Sequence, residues 1–101
     1  MSEENKENKE NKVQIDIDEQ TAQGVYSNLT LSNFSREEFV LDFAFVQPLV
    51  PKGKIRSRVI LSPKNAKRLV AMLEENIQRY EEKVGPITDE KPNAGINLNF
   101  N

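Results

Sequence analysis

The chain has 101 residues, no cysteine and no histidine, with 14 basic and 16 acidic side chains and a formal net charge of −2. Lacking both thiolate and imidazole, it offers no material for disulfides, catalytic triads, zinc sites or haem ligation. No apolar run approaches the roughly 18–20 residues of a membrane span, and Met1 to Lys12 is charged throughout with no signal-peptide core, so the expected location is the cytoplasm.

Residues 1–12 repeat Glu-Asn-Lys at 4–6, 7–9 and 10–12. Such a mixture has nothing to bury and reads as a disordered, solubilising tail. From Val13 the pattern alternates, with Val13, Ile15 and Ile17 on one side and Gln14, Asp16 and Asp18 on the other, which predicts a short edge strand. Asp16-x-Asp18 resembles the opening of a calcium loop. The sixth position is Thr21 where that loop needs glycine, and the twelfth is Ser27 where it needs glutamate, so calcium is set aside.

A second strand is predicted from Val25 to Asn33, with Val25, Leu29 and Leu31 inward and Gly24 before it marking a bulge or a close approach. Phe39 to Val46 is the most hydrophobic segment and predicts a central strand with Phe39, Leu41, Phe43 and Phe45 on one face. Keeping apolar rows together, Leu31 is expected opposite Leu41 or Phe43 and not opposite Asp42. Gln47 to Gly53, with two prolines, reads as a loop, and Lys54 to Leu61 as the last strand.

Ser62 and Pro63 then open a helix, serine capping free amides and proline sitting where its missing N–H is harmless. Ala66, Val70, Leu73, Ile77, Tyr80 and Val84 recur at spacings of 4-3-4-3-4, one buried face widened by Leu69 and Met72. Gly85-Pro86 ends it. Beyond lies a tail whose Ile96, Leu98 and Phe100 alternate like a docking peptide or an added strand. The expected fold is therefore α+β: a meander of three to four antiparallel strands followed by one long helix laid across the sheet. Residues 13–85 form the single domain, between a charged tail at 1–12 and a flexible tail at 86–101.

A folded part of about 70–80 residues supports only a small core. The helix stripe is also longer than so small a sheet can cover. Both facts predict a homo-oligomer, dimer or tetramer, with Leu73, Ile77 and Tyr80 at the interface.

Charge placement supplies the other signal. Between Phe43 and Leu73 there is no acidic residue but seven basic ones, Lys52, Lys54, Arg56, Arg58, Lys64, Lys67 and Arg68; the rest of the chain holds seven basic and sixteen acidic residues, a net −9. Lys54, Arg56, Arg58, Lys64, Lys67 and Arg68 are thus candidates for holding an anion or a partner. Lys54, Arg56 and Arg58 would line one face of the last strand, and the three helix cations oppose the macrodipole. Alternatively Asp42, Glu37 and Glu38, or a partner subunit's acids, neutralise them. No aromatic occurs between Phe45 and Tyr80, which weakens a nucleic-acid reading based on stacking. The carboxylate pairs Glu37-Glu38, Glu74-Glu75 and Glu81-Glu82 are sequence neighbours that do not converge on a substrate, and no nucleophile stands beside a base. The chain is read as non-enzymatic, needing no cofactor and no metal.

Ala22-Gln-Gly-Val-Tyr-Ser-Asn28, Ser35-Arg-Glu-Glu-Phe-Val-Leu-Asp-Phe43, Arg56-Ser-Arg-Val-Ile-Leu-Ser-Pro63, Ala66-Lys-Arg-Leu69 and Asn76-Ile-Gln-Arg-Tyr80 together resemble the small bacterial and archaeal family called domain of unknown function 3467. That resemblance covers roughly residues 14–85, leaves both tails outside, and implies no activity. The order of elements also resembles the export chaperone SecB and its relatives. Such proteins place a long helix after a four-stranded antiparallel sheet, assemble into dimers and tetramers, and hold unfolded chains in hydrophobic grooves. Phe34, Phe43, Phe45 and Leu49 would be the positions available for such a groove here. The resulting expectation is an oligomeric binding or adaptor module, chaperone-like, that holds a protein or peptide through sheet and helix surfaces. Polyanion or nucleic-acid binding through the basic strand and helix start is the alternative.

Overall fold

The structure, a computed structural model, describes residues 12–88. All but Lys12 of the tail expected at 1–12, and the alternating stretch at 96–100, lie outside them. Five elements follow in chain order: α1 Glu19–Ala22, β1 Leu29–Phe34, β2 Phe39–Val46, β3 Gly53–Leu61 and α2 Pro63–Lys83. The strands make one antiparallel sheet in the order β1-β2-β3, so the protein is α+β with three strands. Two compact units divide the described residues: one takes residues 12–31 with Asp42–Val59, the other Ser32–Leu41 with residues 60–88. No helix among the described residues is long and apolar enough to cross a membrane.

The predicted strand at Val13 to Asp18 does not form; Val13, Ile15 and Ile17 are exposed and carry no ladder. Alternation describes two faces, but a strand also needs a neighbour to pair with. Asp18 instead caps α1, its Oδ1 accepting from the Thr21 N–H at 2.7 Å. That bond holds its carboxyl below the ordinary aspartate value. Gly24 closes the turn with φ +79°, and its N–H donates to the Thr21 carbonyl at 3.0 Å. A Cβ there would meet nothing within 4 Å. Gly24 therefore serves the left-handed turn, and no close approach is involved.

Register in the first hairpin differs from the expectation. The Ser35 N–H donates to the Glu38 carbonyl at 2.8 Å across a two-residue loop, and the rings of Phe34 and Phe39 stack with centroids 5.6 Å apart. Counting back from these partners places Leu31 opposite Asp42 and Leu29 opposite Ala44. The tight loop sets this pairing. It tolerates an aspartate in an apolar row because Arg58 neutralises it.

Burial follows the same rows. Asp42 and Ala44 are the only buried side chains among the described residues, at 5% and 3% exposure. Leu29, Leu31, Ile55 and Ser57 are half-buried, as are Phe39, Leu41, Phe43 and Phe45. The better-covered face is therefore that of Asp42 and Ala44, and the phenylalanine row expected to be inward is the second-best covered.

At the start of β1 the Asn28 N–H donates to the Ala44 carbonyl at 3.0 Å, one residue out of step with the hairpin count, which marks a bulge. The Asn28 carboxamide then takes the place of a backbone partner: the Val46 N–H donates to Oδ1 at 2.8 Å, and Nδ2 donates to the Val46 carbonyl at 2.9 Å. Asn28→Ala removes both bonds and is expected to cost about 1 kcal/mol, because the groups left behind can reach water. Urea unfolding measures this, and Asn28→Asp, which keeps only the acceptor, should fall between.

β3 begins at Gly53, where a Cβ would stand 3.0 Å from Val46 Cγ2, so any side chain there would make the Val46 methyl give way by a few tenths of an ångström. Ser62 caps α2 by accepting from the Asn65 N–H at 3.1 Å, with Pro63 in the first turn as predicted. The helix ends at Val84, and Gly85 follows with φ +144°. No residue of α2 is buried, and only Ala66 and Leu69 are half-buried. The apolar stripe of α2 is thus largely open in the single chain.

Candidate binding surfaces

Asp42 and Arg58 form a forked pair: Arg58 Nε donates to Oδ1 at 2.7 Å and Nη2 to Oδ2 at 2.9 Å. The Asp42 side chain is 7% exposed and that of Arg58 52%. Two parallel bonds match the planar guanidinium to the carboxylate. They hold the Asp42 carboxyl below its ordinary value, outweighing the burial that pushes the other way, and they raise the Arg58 guanidinium. Glu37 and Glu38 make no ion pair among the described residues; their N–H groups are held instead by Ser35 Oγ. Of the three acids named from the sequence, only Asp42 meets a cation.

Arg56 does not continue that contact. Its guanidinium carbon lies 6.0 Å from the centroid of the Phe45 ring, and Tyr26 meets the same ring edge-on at 6.0 Å. Phe45 and Asp42 stand on opposite faces of β2, yet Arg56 and Arg58, two residues apart on β3, each reach one of them. Phe45, Gln47, Val50, Lys52, Gly53, Lys54, Ile55 and Arg56 line a groove of about 720 Å³. Lys52, Lys54 and Arg56 make no ion pair among the described residues. An aromatic therefore does stand among the cations, against the expectation that none would. Sequence spacing hid it, because Phe45 and Arg56 lie in different strands with a loop between them.

The remaining candidates lie on α2. Lys64, Lys67 and Arg68 are exposed on its first turns, where there is no acidic residue. Leu73, Ile77 and Tyr80 are 48%, 46% and 49% exposed and, with Asn76 and Ile87, line a hollow of about 390 Å³. Ile87 was missed. Its N–H donates to Glu81 Oε2 at 2.9 Å, which folds the chain after Gly85 back beside the helix. The signal was Gly85-Pro86, read as a stop although it is also a reversal. Arg79 and Glu75 pair along the helix at 2.6 Å.

These features define a small α+β protein with a three-stranded antiparallel sheet, a long amphipathic helix and little enclosed core. The chain belongs to the family described as protein of unknown function DUF3467, whose sequence profile matches residues 1–89. The match runs through the N-terminal tail, which the sequence reading had left outside the family. No curated protein and no solved structure matches the chain.

Proposed function

We propose that this protein is a non-enzymatic, oligomeric binding module that holds a protein or peptide through its sheet and helix surfaces in the manner of a chaperone. One observation carries the reading. Two side chains are buried among the described residues, while Tyr26, Phe34 and Leu49 are 71%, 75% and 95% exposed and the α2 stripe stands open. Apolar surface on this scale is what proteins use to engage other proteins. The groove beside Phe45 offers an apolar floor with lysines and an arginine around it, which suits an extended segment with scattered acidic residues.

Polyanion binding is the competing reading, supported by Lys52, Lys54 and Arg56 beside Phe45. Fluorescence anisotropy with a labelled, permanently unfolded polypeptide and with a labelled single-stranded oligonucleotide separates the two. Polypeptide binding that persists at about 0.5 M salt is expected, since apolar burial does not weaken with salt. Oligonucleotide binding that disappears over the same range would favour the rival, because phosphate contacts release counterions.

A further inference from the structure

The charges along α2 are sorted by end. Lys64, Lys67 and Arg68 occupy its first turns without an acidic neighbour, and Glu74, Glu75, Glu81 and Glu82 occupy its second half against Arg79 and Lys83. Within one helix this order is unfavourable, since cations face the positive end of the macrodipole and acids the negative end. The apolar stripe has the heptad spacing of a helix seam, with Ala66, Leu73 and Tyr80 at d and Val70, Ile77 and Val84 at a. It is exposed throughout its second half.

We propose that the occupant of this stripe is the same helix of a second copy, running antiparallel about a two-fold axis near Glu74 to Asn76. This rests on the oligomeric reading above and specifies its geometry. Antiparallel pairing layers Val70 against the partner's Tyr80 and Leu73 against the partner's Ile77, which seats the facing residue over the hollow between Leu73, Ile77 and Ile87. It sets e positions against e positions, so Lys67 meets the partner's Glu81, twice per dimer. Glu81 is held for this by its bond from the Ile87 N–H, which leaves its other oxygen free to accept. Basic first turns lie beside acidic last turns, and both macrodipoles are opposed. A parallel pair would do the reverse, gathering the basic first turns of both helices at one end, aligning the macrodipoles and offering no opposite charges between g and e. The one unfavourable juxtaposition is Glu74 against the partner's Glu74 at the axis.

Sedimentation equilibrium of the full chain tests this at low salt, with circular dichroism confirming that each variant remains folded. Lys67→Glu and Glu81→Lys should each weaken the dimer roughly fivefold or more, as exposed pairs turned repulsive do, and the double exchange should restore it. Glu74→Gln, which relieves the contact at the axis, should tighten it. Singles that weaken without rescue by the double would overturn the antiparallel register. A parent that remains oligomeric while neither these variants nor Ile77→Asp alters its mass would place the interface elsewhere; the inference then fails and the oligomeric reading stands. A parent that is monomeric at all concentrations would overturn both.

Discussion

Arg58→Gln lowers the melting temperature by several degrees, whereas Arg56→Gln leaves it nearly unchanged. The two arginines are two residues apart on one strand, yet their partners differ. Arg58 neutralises a carboxylate that is 7% exposed, and removing it leaves Asp42 charged and shut away from water. Arg56 lies over an aromatic face at the surface, a contact that weighs little. Asp42→Asn should also destabilise, and the double variant Asp42→Asn with Arg58→Gln should lose less than the sum of the two, the signature of one shared interaction. The pair also has a pH signature. Asp42 titrates below its ordinary value of 3.8 in the folded protein. Its contribution is therefore fully present above the unfolded value and is lost as pH falls through the lowered folded one. Wild type should accordingly lose stability below about pH 4 more steeply than Asp42→Asn. Thermal melts across pH 2–6 check this, and parallel curves for the two proteins would mean that the fork contributes nothing in solution.

Phe43→Ala costs about 3 kcal/mol, the lower end for aromatic truncations, because the ring is only half covered within one chain. For a domain of this size that is a large share of the total. Urea unfolding at several protein concentrations measures it. If a second subunit covers the phenylalanine row, the loss grows with concentration. A change below about 1 kcal/mol would mean that the row packs against nothing.

Much of this architecture is written in local pattern. The alternation of Phe39 to Val46, the loop prolines Pro48 and Pro51, the Ser62-Pro63 opening and the Gly85 stop each correspond to a physical event in one short stretch, and each is present in the structure. Failures occurred where a partner decides. Val13 to Ile17 alternates as well as β2 does but finds no neighbouring strand. α1 is four residues long, too short to show a helical period, and is opened by a capping bond from the Thr21 N–H to Asp18. Leu31 lies opposite Asp42 because a two-residue loop sets the count, and polarity matching would have chosen otherwise. Among the candidate residues, Arg58 against Asp42 was legible as opposite charges on adjacent strands. Phe45 beneath Arg56 was not, since nothing in the order of residues tells which ring a long flexible side chain will cross.

The carboxamide of Asn28 bears on how the hairpin keeps its alignment. Sliding one strand past another by two residues preserves which side chains face which way, so hydrophobic pattern alone does not forbid it. Slippage of that kind is a route to misfolded and aggregated sheets. In this chain it would carry Asn28 away from the end of β2 and forfeit two hydrogen bonds at once, the donor and the acceptor of Val46 together. One polar side chain at the start of a strand thereby acts as a ratchet stop, discriminating between alignments that the apolar residues regard as equivalent.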